Sequence, residues 1–529
     1  MSKDDFLWPI EPVLEMDDIQ GISIPGFFKP SQMLLGIRFS QDSTNVAALR
    51  KVLRSLAAEV ATAATTLADR RAHRAGHRTR KFPPLIAIGL TYQGLFALTP
   101  GAIDVPSIAF KIGLPGRSAL LGDPLDPHKP GHPQMWSVGA PGDELDLMVV
   151  VAGDDRESVA SRAKELEARL LATGAEVSSQ VGNVRDDVPH GVGREHFGFD
   201  DGVSQPGMRG RATDGTDDFI TDRYIDRSQT PAAALYGYPG QDLVWPGEFV
   251  IGYPKSGPDP LIPGPIDQSV PSWMHNGSFL VYRRLLQDVH GFWQTMRDQA
   301  KALAGQEGFA GIDDQYLAAH LVGRWPSGAP VSRTPQQDIP ELGDNAMAVN
   351  HFRFDCDTTA LALTTGTDRF PRAKADPIGT VCPLAAHIRK VNTRDAPSDM
   401  GGRSSTYDRR ILRVGVAFGP SVTDPYQAPP ENDEERGLLF LSIQASIEDQ
   451  FEFLQSRWIN DVSRPKSPSG NDMIVGQNAP AKDNVRQCVV FGSDQQIGTV
   501  MAERQFVTPS GGGYFFIPSI ATLKNVLAA

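Results

Sequence analysis

Apolar positions along this chain fall into two periods. Residues 33–39 (Met-Leu-Leu-Gly-Ile-Arg-Phe), 85–91 and 145–152 are short apolar runs and are predicted strands. Residues 43–69 are Ala-rich and place Val46, Leu49, Val52, Leu53, Leu56 and Val60 on one face, which predicts a helix. Residues 155–173 repeat that period through Val159, Ala163, Leu166, Leu170 and Leu171, and a short helix is expected to open at Tyr92. Strand, helix, strand, strand, helix is the rhythm of a ferredoxin-like α+β unit, although its fourth strand is not legible.

The second half shows the same kinds of element. Residues 277–285 and 438–445 read as strands, and residues 410–418 as an alternating one. Residues 288–304 and 449–458 read as helices, and 213–265, rich in Gly, Pro and Asp, as a long ordered loop. Cys382 to Asn392 reads as a helix with Pro383 in its first turn and Leu384, His387, Ile388 and Val391 on one side. No sequence repeat relates the halves, so a duplicated fold is an expectation from the element order alone.

With 529 residues the chain can bury a large core and divide into domains. Its formal net charge of −12 argues against nucleic acid or an anionic membrane as partner. Cys356, Cys382 and Cys488 show no C-x-x-C spacing, so neither a disulfide framework nor a structural zinc site is expected. Met1 to Phe6 lacks a basic region followed by an apolar run, and no apolar run reaches the roughly 18 residues of a membrane span. The expected location is therefore cytoplasmic.

Four places could carry chemistry. His387, on an apolar helix face, is either a core histidine with one backbone partner or a metal or haem ligand. In Phe197-Gly198-Phe199-Asp200-Asp201-Gly202, two glycines around two aspartates make a tight turn; between aromatic rings the carboxylate could also be a tuned acid or base. Arg413 shares a strand face with Gly415 and Ala417, which suits an exposed edge or a cavity holding a flat ligand. Leu438 and Phe440 share a face that is either ordinary core or a cavity wall. His128 and His132 flank a Pro-rich loop and are weaker metal candidates. Gly511-Gly512-Gly513 has no lysine in P-loop position.

Together these segments carry a resemblance. Gly198-Phe199-Asp200-Asp201-Gly202 resembles the G-x-x-D-G motif of the dye-decolorizing peroxidases. Ala385-Ala386-His387-Ile388-Arg389-Lys390-Val391-Asn392 is similar to that family's proximal-haem helix, and Arg410-Ile411-Leu412-Arg413 with Gly415 and Phe418-Gly419 to its distal-arginine strand. Asp18-Ile19-Gln20-Gly21, Asn276 to Val281, Gly323 to Pro330 and Gly512 to Phe516 also resemble family segments, in the family's order. The length and the leaderless start suggest the larger cytoplasmic branch.

The resemblance implies an α+β fold of the dimeric α+β barrel type: two ferredoxin-like domains, antiparallel sheets with peripheral helices. It implies an N-terminal domain over 1–190 and a haem-binding domain over 191–529. It implies haem b, with His387 as the iron ligand, Asp201 and Arg413 as the distal catalytic pair, Leu438 and Phe440 as the distal wall, and Arg324 as a haem propionate contact. The expected activity is that of a haem peroxidase using hydrogen peroxide to oxidise dyes, phenolics and similar aromatic reducing substrates through a ferryl intermediate. The alternatives are a haem-handling protein with little turnover, which would not need Asp201 and Arg413 together, and a haem-free α+β protein. A homo-oligomer is left open. An aspartate base favours acidic pH, since its reference pKa is about 4. Glu448, Asp449, Glu452 and Asp461 are candidate carboxylate partners for His387. Arg409 and Arg410 are fallbacks for Arg413, and Tyr407, Trp325 and Trp458 are surface electron relays or packing residues.

Overall fold

The computed structural model describes residues 6–40, 42–76, 82–99, 104–184, 193–422, 424–427 and 434–528. Met1–Asp5 and the expected boundary between residues 190 and 191 lie outside them.

Among the described residues nine strands form one antiparallel sheet. They are β1 (Ser31–Arg38), β2 (Leu85–Leu90), β3 (Leu147–Gly153), β4 (Glu176–Asn183), β5 (Ser278–Gln287), β6 (Leu412–Arg413), β7 (Val416–Phe418), β8 (Gly437–Gln444) and β9 (Val507–Ile517). The order is β4-β1-β3-β2-β9-β5-β8-β6, with β7 also on β8. The C-terminal strand β9 joins the two halves. It pairs with β5 from Val507 opposite Gln287 to Ile517 opposite Ser278, and meets β2 at Phe516 opposite Leu90. The sheet curls until its edges approach. Gly182 of β4 lies so close to Val416 of β7 that a Cβ would collide with it, and Arg284 of β5 donates to Gln180 of β4 at 3.0 Å.

Strand alternation then sorts the side chains. Leu34, Met148, Val150, Leu280, Leu441 and Phe515 face inward into one core. Leu35, Ile37, Val149 and Val151 face outward under three helices, α1 (Ser43–Leu56), α3 (Tyr92–Leu98) and α4 (Arg156–Leu171). A third core joins α5 (Val289–Ala304) and α6 (Asp314–Val322) to Phe197 and Phe199. Among the described residues no helix is long and apolar enough to cross a membrane.

Four expected elements are corrected. The helix over 43–69 is two, α1 and α2 (Ala63–Arg74), because the segment between them takes sheet-like bonds instead. Ala61 donates to the Ile86 carbonyl at 2.9 Å, Gly21 donates to Ala61 at 2.7 Å, and the Thr62 hydroxyl caps α2. The arginine strand is interrupted at Val414 and Gly415, although its register is unbroken: Arg413 lies opposite Ser442 and Val416 opposite Leu439. The His387 helix, α7, is shorter than expected, His387–Val391, and Pro383 sits in the turn before it. The helix expected over 449–458 is present as two wide-turn π segments, Ile447–Glu452 and Leu454–Ile459. The illegible fourth strand is β4.

Candidate active site

A cavity of about 300 Å³, as reached by the centres of water molecules, lies against the outer face of β5 and β8. Alternation brings Arg283, Leu285 and Gln287 of β5 and Leu438 and Phe440 of β8 to its floor. The opposite wall is α7, through His387, Ile388 and Val391. Phe451, Leu454, Ile459 and Ile474 complete an apolar lining. Leu438 and Phe440 thus form a wall of this cavity, as the spacing allowed.

His387 is the first residue of α7 and keeps 26% of its side chain exposed, toward this cavity. Its Nδ1 lies 2.7 Å from Oδ2 of Asp472, a fully buried carboxylate. The other Asp472 oxygen accepts the amides of Ile474 at 2.9 Å and Val475 at 3.0 Å. Burial works to raise the Asp472 carboxyl, but the imidazole and the two amides outweigh it and hold the group below the usual range. A carboxylate on Nδ1 selects the tautomer with its proton there, which turns a lone pair on Nε2 toward the cavity. None of the four carboxylates expected for this role fills it. Glu452 binds Arg117, Glu448 the Ser107 hydroxyl, Asp449 Arg409, and Asp461 Ser463. Asp472 was missed because it is 85 residues away in sequence and the tertiary fold alone selects it.

Across the cavity stands the second pair. Arg413 Nη1 donates to Asp201 Oδ1 at 2.8 Å, and Nη2 to the Ser204 carbonyl at 3.2 Å. Gln205 clamps the Arg413 backbone from both sides, its Oε1 accepting from the amide at 3.1 Å and its Nε2 donating to the carbonyl at 3.0 Å. The Asp201 turn needs its glycines: Gly198 and Gly202 have φ of 100° and 77°. Phe197 and Phe199 anchor this loop on Phe292 and Trp293 of α5. The segment is therefore the tight turn that its glycines predict. Burial acts most on the neighbouring carboxyls. It pushes Asp200 up to about 6, with help from the Asp201 charge, and Glu195 up to about 7. The Glu195 carboxylate accepts the amides of Phe197 at 2.7 Å and Phe199 at 2.8 Å. Arg409 and Arg410 are committed elsewhere, to Asp449 and to Asp242.

At one rim two buried guanidiniums meet. Arg324 donates to the Gly328 carbonyl at 2.7 Å and to Asn350 Oδ1 at 2.8 Å. Arg394, which the motif reading missed, donates to the Asn350 carbonyl at 3.0 Å and stacks on Phe352 at 3.6 Å. Burial pulls them down to about 9 and about 10. Among the described residues neither makes a direct ion pair, although the charges of Asp200 and Asp242 act on Arg324 and Arg394 from nearby. An apolar slot, a histidine nitrogen aimed into it and two cations bonded only to neutral oxygens at its edge fit a haem with its propionates. The aromatic relay candidates are not on the surface: Tyr407, Trp325 and Trp458 are buried, bonded to Asp242, Thr334 and Asp399. His132 accepts the Gln134 amide within its own loop.

An oriented histidine facing an aspartate–arginine pair across an apolar slot, carried on an antiparallel α+β sheet, is peroxidase architecture. No family profile matches the chain, but individual proteins do. A dye-decolorizing peroxidase of Mycena epipterygia is 31% identical over 461 residues, covering 84% of this chain and 77% of its own length. One from Exidia glandulosa is 30% identical over 524 residues, covering 98% and 88%. The multifunctional dye peroxidase DyP2 of Amycolatopsis is 29% identical over 84% of the chain and 82% of its own. Among solved structures, an ancestral D-type dye-decolorizing peroxidase superposes with a TM-score of 0.74 at 31% identity, covering 98% of this chain and 100% of that one. The fungal peroxidase of Auricularia auricula-judae gives 0.71 at 27% identity, over 98% and 99%. The chain belongs to the dye-decolorizing peroxidase family, a family of haem enzymes, and is a peroxidase with that family's ferredoxin-like α+β fold.

Proposed function

We propose that the cavity holds haem b and that the chain uses hydrogen peroxide to oxidise dyes and phenols. His387 Nε2 is the iron ligand in this reading, and Asp472 orients it and raises its basicity. Arg324 and Arg394 take the propionates. Leu438 and Phe440 form the distal wall. Haem, when bound, supplies the iron and the electrons that cleave the O–O bond. Asp201 takes the proton from one peroxide oxygen and returns it to the other, which departs as water. Arg413 remains charged and stabilises the negative charge that develops on the departing oxygen. The Gln205 clamp and the Ser204 carbonyl keep the guanidinium aimed while that happens.

The observation that carries the proposal is that the Asp201–Arg413 and His387–Asp472 pairs face one apolar cavity. A dye-decolorizing peroxidase at a TM-score of 0.72 and 25% identity has been solved with 2,6-dimethoxyphenol, which supports a phenol as reductant. We also propose the division into units 1–190 and 191–529. It is supported by the lining of the cavity, to which, among the described residues, only Asp123 contributes from the first unit. The test is peroxide-dependent oxidation of a phenol by the haem-loaded protein. Asp201→Asn should lower the rate about 10²–10⁴-fold, the usual worth of a positioned proton carrier, with haem content unchanged. An undiminished rate would remove Asp201 from the reaction.

A further inference from the structure

Lys390 stands one turn after His387 on α7 and is 0% exposed. A lysine is seldom buried so completely without a carboxylate in contact. Among the described residues no carboxylate lies within ion-pair distance of this one. Its ammonium is caged by neutral oxygens instead. It donates to the carbonyls of Gly470 at 2.6 Å, Arg464 at 2.7 Å and Asp461 at 2.8 Å, with the Ser469 hydroxyl at 3.3 Å. An ammonium has three N–H donors, and three carbonyls take them. All these oxygens belong to the loop 461–470, so the lysine is not capping the carbonyls of its own helix. Burial pulls it down to about 8, and the charges of Asp472 and Asp461 work against that.

The cage adjoins the carboxylate that orients His387. Gly470 stands just before Asn471 and Asp472, and its amide donates to the Val462 carbonyl at 2.7 Å. The Asn471 amide donates to the Gln487 carbonyl at 2.8 Å, and the Asp472 amide to the Ile459 carbonyl at 3.2 Å. Just after Asp472 the chain is held by Arg486, also 0% exposed, which donates to the Met473 carbonyl and to Asn478 Oδ1 at 2.6 Å. Buried cations therefore fix the chain on both sides of Asp472. Of the two, Lys390 is the one that comes from the helix carrying His387. α7 and this segment meet at two points one turn apart, the imidazole on the Asp472 carboxylate and the ammonium on the loop carbonyls.

We propose that Lys390 is a positioning residue of the site: its ammonium clasps the 461–470 loop to α7 and so keeps Asp472 on His387 Nδ1. A compact ammonium serves several carbonyls at once in a space that a planar guanidinium does not fit. Without it the loop carbonyls lose their donor inside the protein, and the loop shifts toward water to recover one. A displacement of about 1 Å would break the 2.7 Å bond between Asp472 and the imidazole. The proposal rests on the haem reading only for what His387 then does to the iron; the clasp itself does not.

Hydrogen–deuterium exchange and resonance Raman spectroscopy on the haem-loaded full chain test it with Lys390→Met, which keeps the stem and removes the donors. Amides over 470–475 should exchange about tenfold faster than in the wild type, the worth of one lost hydrogen bond, with the sheet amides unchanged. The iron–histidine stretching band of the ferrous protein should fall toward its position in Asp472→Asn, and the reduction potential should rise with it. A residue that only stabilised the fold would move neither the band nor the potential. If Lys390→Met does not fold, Lys390→Gln, which keeps an amide donor in the cage, carries the same comparison. Wild-type exchange over 470–475 would overturn the clasp, and faster exchange with an unmoved band would overturn its hold on Asp472. Faster exchange in the variant of a chain that takes up no haem would keep the clasp and sink the haem reading instead.

Discussion

At the scale of single residues, the site works by committing each polar atom. Asp472 spends one oxygen on His387 and the other on two backbone amides, so it cannot swing away from the imidazole. Asp472→Asn keeps the shape and removes the charge. The expected result is a higher iron reduction potential and a loss of about 10–100-fold in activity or haem affinity, measured by spectroelectrochemistry and haem transfer. An unchanged potential would show that the carboxylate does not tune the histidine. His387, Asp201 and Arg413 were legible as candidates because each sits in a short segment that resembles a family motif; from their residues alone, a core histidine, a plain turn and an edge arginine remained open. Gly198 and Gly202 mark a turn. Asp472 and Arg394 were not legible. Their partners are chosen by packing between distant segments, and no local period announces that.

At the scale of elements, β8 matters most, because it carries Leu438 and Phe440 and holds Arg413 through β6. Gly437 opens it, and a Cβ there would run into the Leu285 carbonyl of β5. Gly437→Ala should therefore cost about 1–3 kcal/mol and lower the denaturant midpoint at constant slope. An unchanged midpoint would mean that β8 relaxes freely. The strands were the readable part of the fold, since alternation and apolar runs report them directly. Errors fell where backbone bonding overrode periodicity. Ala-rich residues 57–62 have the composition of a helix, yet Ala61 finds a strand carbonyl and Thr62 a cap. The ladder gap at Gly415 lies where the strand passes 2.8 Å from the Leu439 carbonyl for a Cβ built on that glycine. Hydrophobic pattern alone cannot register such a contact.

For the whole molecule, β9 makes the halves one sheet, and several carboxyls are folded in at a cost that depends on pH. Burial pushes Glu248 up to about 7, against the Ser256 amide that it accepts at 2.7 Å. A carboxyl raised on folding binds more protons folded than unfolded between its two pKa values. Its contribution is favourable at low pH and is lost as pH rises from about 4.5 to about 7. Glu248→Gln should flatten the fall in melting temperature across that window. A slope equal to that of the wild type would show that Glu248 titrates normally in the fold. The central claim is that His387 holds a haem which peroxide reaches beside Asp201 and Arg413. The most direct measurement is the absorption spectrum of the haem-loaded wild type and of His387→Ala, before and after one equivalent of hydrogen peroxide. A Soret band that shifts on peroxide addition in the wild type, and is lost or displaced in the variant, is the expected result. A band indifferent to peroxide, or identical in the two proteins, would contradict it.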